Sequence, residues 1–145
     1  MANNDIVPGF DNEIDESLKI QLESVNGIKG CLILDLSGSI DTYNSTYFQK
    51  CIHKLVEAGF TKLIFNCSGL NYVSSTGIGS FTSFLKALKP KGGNLVLFEI
   101  QPKVFEVFQL LGFSQFFVIK KTLDEAVGFF KSETDKDNPI LWKTC

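Results

Sequence analysis

The segment from Leu63 to Phe84 constrains the fold most strongly, because it joins an apolar run directly to a helical pattern. The run at 63–65 is typical of a buried strand. Apolar residues then recur at helical spacing, at Ile78, Phe81, Leu85 and Leu88. The join between the two patterns reads Ser-Ser-Thr-Gly at 74–77. A buried strand that passes into a helix through a short polar segment predicts an α/β domain.

Two consecutive serines at this join predict a chemically distinctive helix start. A helix N-terminus has unsatisfied N–H groups and a partial positive charge. It is therefore a favourable place for a serine that carries a phosphate. For Ser75 and Thr76, composition alone favours the simpler interpretation, which is that their hydroxyls cap the helix.

Alternating strand and helix patterns predict the order ββαβαβαβα and no internal repeat. This order indicates a two-layer or three-layer α/β domain with a largely parallel sheet. The predicted strands cover 18–23, 31–36, 62–67, 95–98 and 116–119. The predicted helices begin at an Asp41-Thr42 cap, near Ser75, at Pro102 and at a Thr122/Glu125 capping box, and the last ends near Phe130.

Composition indicates one soluble domain. The chain has 145 residues, of which 44% are hydrophobic and 21% charged, and its net charge is −2. All 14 basic residues are lysines. We expect neither nucleic-acid binding nor a membrane span nor a secretory signal, and we expect a cytoplasmic location. The division expected along the chain is a loose N-terminal arm at 1–16, the domain at 17–131 and a polar C-terminal tail at 132–145.

Patterns typical of catalysis, cofactors and metals are missing from the sequence. The four cysteines, at 31, 51, 67 and 145, are widely spaced, which disfavours zinc. The only histidine, His53, is predicted within a helix without a neighbouring nucleophile. Phosphate-cradling loops and nucleophile elbows are not found. We therefore expect no enzyme activity, no cofactor and no metal.

The segment Leu70 to Gly79, LNYVSSTGIG, resembles the signature of STAS domains, specifically of the bacterial anti-sigma factor antagonists. That signature has an aromatic and an apolar residue before D-S-[ST]-G-[LI]-G. Gly38-Ser39-Ile40-Asp41 resembles the family's G-x-[LI]-D turn, and 102–112 resembles its penultimate helix. The resemblance spans about 18–130. It implies a STAS-like single domain with a mixed, mostly parallel sheet of about five strands and about four helices.

The resemblance also implies a function. In that family a partner, which is both a serine kinase and an anti-sigma factor with an ATP-binding domain, phosphorylates the serine that matches Ser75. The unphosphorylated antagonist binds this partner and so frees a sigma factor. A serine phosphatase is a second expected partner. The implied roles are those of a phosphoprotein in transcription regulation and stress signalling.

The chain departs from the signature at Ser74, where the family has aspartate. Ser74 and Thr76 are therefore fallback phosphoacceptors. Asp41 is interpreted as a helix cap and, from the resemblance, as a partner contact, and the two roles do not exclude each other. The alternative function is a STAS scaffold or sensor domain, without phosphorylation, in a multi-protein assembly. The partner-binding surface implied by the resemblance comprises Ser39, Asp41, Tyr72, Ser74, Thr76, Gly77 and Gly79.

Overall fold

A mixed five-stranded sheet forms the centre of the protein, and its strands lie side by side in chain order. The structure is a computed structural model that describes residues 2–136, with side chains described through residue 132. The strands are β1 (Leu18–Ser24), β2 (Cys31–Ile40), β3 (Lys62–Val73), β4 (Asn94–Phe98) and β5 (Val118–Lys120). β1 runs antiparallel to β2, and every other neighbouring pair is parallel. The prediction of a mixed, mostly parallel sheet of five strands is confirmed.

Helices cover both faces of the sheet and make three layers. Within the described residues the helices are α1 (Asn3–Ile6), α2 (Ser45–Glu57), α3 (Ser75–Leu88), α4 (Pro102–Leu110) and α5 (Leu123–Lys136). Single 3-10 turns occupy Phe10–Asn12 and Lys89–Lys91. The four predicted helices correspond to α2–α5, whereas the one-turn α1 was not predicted.

The larger core lies between the sheet and helices α2, α3 and α4. At its centre, four buried phenylalanines make mainly edge-to-face contacts with ring centroids 5.2–6.5 Å apart, and they are Phe48, Phe65, Phe81 and Phe84. Such pairs stabilise a core beyond the burial of their area. A smaller core on the opposite face packs Ala126 and Phe130 of α5 against β2, β3 and β4. As the apolar run at 31–36 predicted, β2 is covered on both faces, because its residues contribute alternately to the two cores.

The N-terminal residues are attached to the domain, which differs from the loose arm expected at 1–16. Val7 and Phe10 are buried in the larger core. The side chain of Asn3 donates to the Ile20 carbonyl at 2.6 Å and accepts from the Leu22 N–H at 2.8 Å. It thereby occupies backbone groups of the edge strand β1, which would otherwise be open to pairing with another chain.

Several other element boundaries also differ from the expectations. β2 and β3 continue to Ile40 and Val73, so 37–39 and 68–73 are strand rather than loop. α2 begins at Ser45 rather than at an Asp41 cap, and the short fifth strand begins at Val118 rather than at Phe116. α5 continues to Lys136, past the boundary expected at 131, whereas the remaining tail, including Trp142, lies outside the described residues.

Candidate functional site

The carboxyl ends of β2 and β3 bring the two signature segments together. The parallel register pairs Ser39 with Tyr72 and Ile40 with Val73. The Ser74 N–H then donates to the Ile40 carbonyl at 2.8 Å. The turn after β2 and the start of α3 therefore form one continuous surface at this end of the sheet.

Ser74 is the N-cap of α3, and its hydroxyl is already in use. Its Oγ accepts a hydrogen bond from the Gly77 N–H at 3.1 Å, and its carbonyl accepts from the Ile78 N–H at 3.0 Å. The side chain is half-buried. Of the three candidate hydroxyls in this segment, the one at Ser74 has a structural task in the helix cap.

Ser75 is the first helical residue, and its side chain is exposed. No hydrogen bond to its hydroxyl is present within the described part of the chain. Thr76 is also exposed, and its carbonyl accepts a hydrogen bond from the buried Ser80 hydroxyl at 3.2 Å. Composition favoured capping of the helix by the hydroxyls of Ser75 and Thr76. The structure differs from this expectation, because Ser74 is the residue that caps the helix.

The start of α3 is electrostatically suited to an added negative charge. The first turn of α3 contains no acidic residue. The N–H groups of Gly77 and Ile78 are the first at this helix end that donate a hydrogen bond within the helix start. Residues 75 and 76 come before them in the chain. A phosphate on a side chain here would meet unpaired N–H groups and the positive end of the helix dipole.

The two glycines of the α3 start differ in their surroundings. A Cβ added at Gly77 would lie 2.8 Å from Ile40 Cγ2 and 2.9 Å from Val73 Cγ1. Gly77 is buried, so it acts through close packing of the helix on the strand ends. A Cβ added at Gly79 would meet nothing within 4 Å, and Gly79 is half-buried. Packing therefore requires a glycine at position 77 but not at position 79.

Asp41 and Asn44 fix the turn between β2 and α2 by reciprocal hydrogen bonds. Asp41 Oδ1 accepts from the N–H groups of Tyr43, at 2.9 Å, and Asn44, at 3.0 Å. Asn44 Oδ1 accepts from the Asp41 N–H at 2.9 Å. The Asp41 carboxylate therefore caps this turn. The N-cap of α2 is Asn44, three positions later in the chain. The half-buried side chain of Asp41 lies at the surface formed with Ser75.

Asn44 also connects this turn to the start of β1. Its buried Nδ2 donates to the Ser17 hydroxyl and to the Ser39 carbonyl, both at 2.8 Å. Asp15 in turn accepts hydrogen bonds from the side chain and backbone of Ser17, which lower the pKa of its carboxyl. The sequence analysis did not identify Asn44 as a site residue. A buried polar side chain with several partners rigidifies the backbone around it.

Two tyrosines project from the same surface. Tyr72, at the end of β3, is 53% exposed, as its assignment to a binding surface requires. Tyr43 in the fixed turn is 96% exposed and was missed by the sequence analysis. The sequence signal that could have identified it is an aromatic residue within the polar run at 41–44. Exposed aromatic side chains on rigid turns are common anchors in protein interfaces.

The described residues offer little for catalysis or metal binding. His53 lies about two turns into α2 and is exposed, and no hydrogen bond among the described residues connects it to Ser75. Cys31, Cys51 and Cys67 are buried free thiols, and burial raises the pKa of Cys67 to about 12. Among the described residues no cluster of three or more His, Cys, Asp or Glu side chains could hold a metal ion. None of the described helices is long and apolar enough to cross a membrane.

Curated relatives match this chain over most of their own length. BtrV of Bordetella bronchiseptica is 28% identical over 115 residues, which cover 79% of this chain and 97% of BtrV. The anti-sigma-B factor antagonist of Listeria monocytogenes is 27% identical over 93 residues, which cover 64% of this chain and 82% of the relative.

Solved structures and family matches agree on the fold. The unphosphorylated anti-sigma factor antagonist SpoIIAA superimposes with a TM-score of 0.66 at 24% identity, covering 79% of this chain and 97% of SpoIIAA. The phosphorylated form of the Bacillus protein gives a TM-score of 0.58 at 23% identity, covering 76% and 97%. Residues 19–126, most of the chain, match the STAS domain. The chain therefore belongs to the STAS domain family.

Proposed function

We propose that this protein is an anti-sigma factor antagonist whose binding is controlled by phosphorylation of Ser75. Its partner is an anti-sigma factor that is also a serine kinase with an ATP-binding domain. The single observation that carries the proposal is the position of the Ser75 hydroxyl. It is exposed, has no hydrogen bond in the described part of the chain, and lies at the first helical position beside the turn that contains Asp41.

The names of the relatives support this function. Proteins named as anti-sigma-B factor antagonists match more than half of the chain, and SpoIIAA, named as an anti-sigma factor antagonist, has been solved with and without phosphate. The action proposed for this chain takes place in the cytoplasm, and a serine phosphatase resets the switch. The alternative, a scaffold domain without phosphorylation, predicts that the state of Ser75 has no effect on binding.

The departure from the family signature is consistent with this function. Ser74 replaces the family's aspartate, and serine and aspartate are equally good at the N-cap position. The helix start therefore keeps its cap, as the bond from Gly77 N–H to Ser74 Oγ illustrates. What changes is the charge, because one carboxylate is lost beside the acceptor. A phosphate on Ser75 would have one fewer negative neighbour than in the family pattern.

The switch is electrostatic. A phosphate adds about 1.5 to 2 negative charges at pH 7. At the start of α3 this charge is tolerated by the helix dipole and the unpaired N–H groups, so the fold changes little. In a complex the same charge must lose its water or face acidic groups, which costs several kcal/mol. Since about 1.4 kcal/mol corresponds to a tenfold change in affinity, a cost of several kcal/mol weakens binding by well over tenfold and releases the partner.

Binding to the isolated kinase partner tests the proposal. Recovery of an ATP-binding-domain protein with the full-length chain from the native cell identifies the partner, and titration calorimetry measures its affinity. We expect Ser75→Ala to bind and to resist release by ATP. Ser75→Asp should bind at least about tenfold more weakly.

The matched control is Ser83→Asp, an exposed serine on the same helix, about 12 Å further along its axis. It should bind like the unmodified protein. Equal affinities for Ser75→Asp and Ser83→Asp, with both variants folded by circular dichroism, would refute the switch and favour the scaffold alternative.

A further inference from the structure

An apolar groove lies at the end of α3 that is remote from Ser75. It has a volume of about 580 Å³ and is lined by Thr82, Leu85, Lys86, Lys89, Pro90, Phe113 and Phe116. One wall is the second half of α3 with the 3-10 turn that follows it, and the other is the loop between α4 and β5. Neither wall includes a residue of the surface around Ser75.

The apolar side chains of the groove are incompletely covered. Leu85 and Phe113 pack only partly against the larger core. Phe116 is 66% exposed, and its ring lies 5.9 Å from that of Phe113. Leu110, three positions before Phe113 in the chain, is 85% exposed. Large apolar side chains gathered beside a concavity, rather than scattered singly, are typical of an interaction site.

The rim of the groove is basic, although the chain as a whole has a net charge of −2. The segments that form the walls, 82–91 and 109–117, contain Lys86, Lys89 and Lys91 and no acidic residue. Lys86 and Lys89 line the groove itself. This local charge favours an occupant that is apolar on one side and negatively charged at its edges.

The groove and the surface around Ser75 lie at opposite ends of α3. The helix has 14 residues and is therefore roughly 20 Å long. The groove lysines, Lys86 and Lys89, follow Ser75 by 11 and 14 positions, roughly 16–21 Å along the axis, which is large compared with the Debye length of about 8 Å at physiological ionic strength. Occupation of the groove is therefore compatible with either state of Ser75.

We propose that the groove binds an acidic amphipathic helix of a second partner protein. Apolar side chains one helical turn apart enter between Leu85 and Phe116, and flanking carboxylates face Lys86 and Lys89. The concave shape fits a helix better than the flat surface of a membrane, for which polybasic segments of four or more charges are typical. The inference goes beyond the proposed antagonist function and does not depend on it.

The test uses a defined probe and the full-length chain. The probe is a fluorescein-labelled 16-residue peptide with leucine at positions i, i+3, i+4 and i+7 and glutamate at the flanking positions, measured by fluorescence anisotropy. A scrambled peptide of the same composition and a peptide with lysine in place of glutamate are the control ligands. We expect the acidic amphipathic peptide to bind at least about tenfold more tightly than either control.

Variants then locate the binding site. Phe116→Ala should weaken peptide binding at least about tenfold, since truncating an aromatic anchor commonly has an effect of this size. The double substitution Lys86→Glu with Lys89→Glu should reverse the preference between the acidic and basic peptides. Ile14→Ala, which removes an exposed apolar side chain elsewhere, and Ser75→Asp should leave the affinity unchanged.

Several results would overturn this proposal. They are equal binding of the scrambled peptide, an unchanged affinity in the folded Phe116→Ala variant, and Phe116-dependent sedimentation with phosphatidylglycerol vesicles in place of peptide binding. Light scattering that shows a dimer, lost in Phe116→Ala and unaffected by peptide, would instead assign the groove to a second copy of the chain. None of these results bears on the Ser75 switch, so the two proposals fail separately.

Discussion

Ser74 and Ser75 are adjacent serines, but only the hydroxyl of Ser74 is expected to contribute to stability. Ser74 Oγ accepts a hydrogen bond from the Gly77 N–H at 3.1 Å, whereas Ser75 has no side-chain hydrogen bond within the described part of the chain. Replacement of an N-cap serine by alanine typically costs about 1 kcal/mol. Ser74→Ala should therefore lower the free energy of unfolding by about 1 kcal/mol, which corresponds to a decrease in Tm of about 4 °C for a domain of this size.

Ser75→Ala should change the free energy of unfolding by less than about 0.5 kcal/mol, as is usual for exposed positions without a structural contact. Ser74→Asp should retain the stability of the unmodified chain, because aspartate caps equally well and favours the positive helix end. Urea titration followed by far-ultraviolet circular dichroism measures all three variants, with Ser83→Ala as the control on the same helix. Equal losses for Ser74→Ala and Ser75→Ala would show that the division of tasks described here is wrong.

Three further predictions concern other parts of the protein. Gly77→Ala should destabilise the fold by about 1–3 kcal/mol, because the added Cβ would lie 2.8 Å from a methyl of Ile40. Gly79→Ala should not destabilise it, and a thermal unfolding experiment that ranks the two variants otherwise would contradict the packing described for Gly77. Tyr43→Ala should weaken binding of the kinase partner at least about tenfold without lowering Tm, and an unchanged affinity in calorimetry would remove Tyr43 from the interface. Burial raises the pKa of Cys67 to about 12, so at pH 8 roughly one thiol in ten thousand is ionised. Iodoacetamide should therefore label Cys67 in urea but not in the native protein, and peptide mapping measures the labelling.

The sheet and its main helices could be predicted because their signals are local. Apolar runs and helical spacing are properties of neighbouring residues, and they placed β4 and α3 within a residue or two of the observed bounds. The extension of β3 through Ser68 to Val73 was missed because Ser68, Gly69 and Asn71 interrupt the apolar run. These residues pair with residues of β2 that lie 32 or 33 positions earlier in the chain, and the register between the two strands shifts twice along this stretch.

Long-range hydrogen bonds explain the other differences. Nothing near Asn3 in the sequence indicates that its side chain pairs with the backbone of β1, yet these bonds attach the N-terminal residues. Asn44 likewise connects Ser17 to the turn after β2 across 27 positions. In the site itself, the sequence placed Ser74 and Ser75 together at a helix start. Only the cap geometry distinguishes the hydroxyl that is already hydrogen-bonded from the exposed one.

Phosphopeptide mapping tests the central claim most directly. The full-length protein is incubated with ATP and the kinase recovered with it from the native cell, and the modified residue is identified by mass spectrometry. We expect phosphate on Ser75 and none on Ser74 or Thr76, with no uptake by Ser75→Ala. Phosphate on either neighbour, or undiminished uptake by Ser75→Ala, would contradict the assignment of the switch to the exposed hydroxyl at the start of α3.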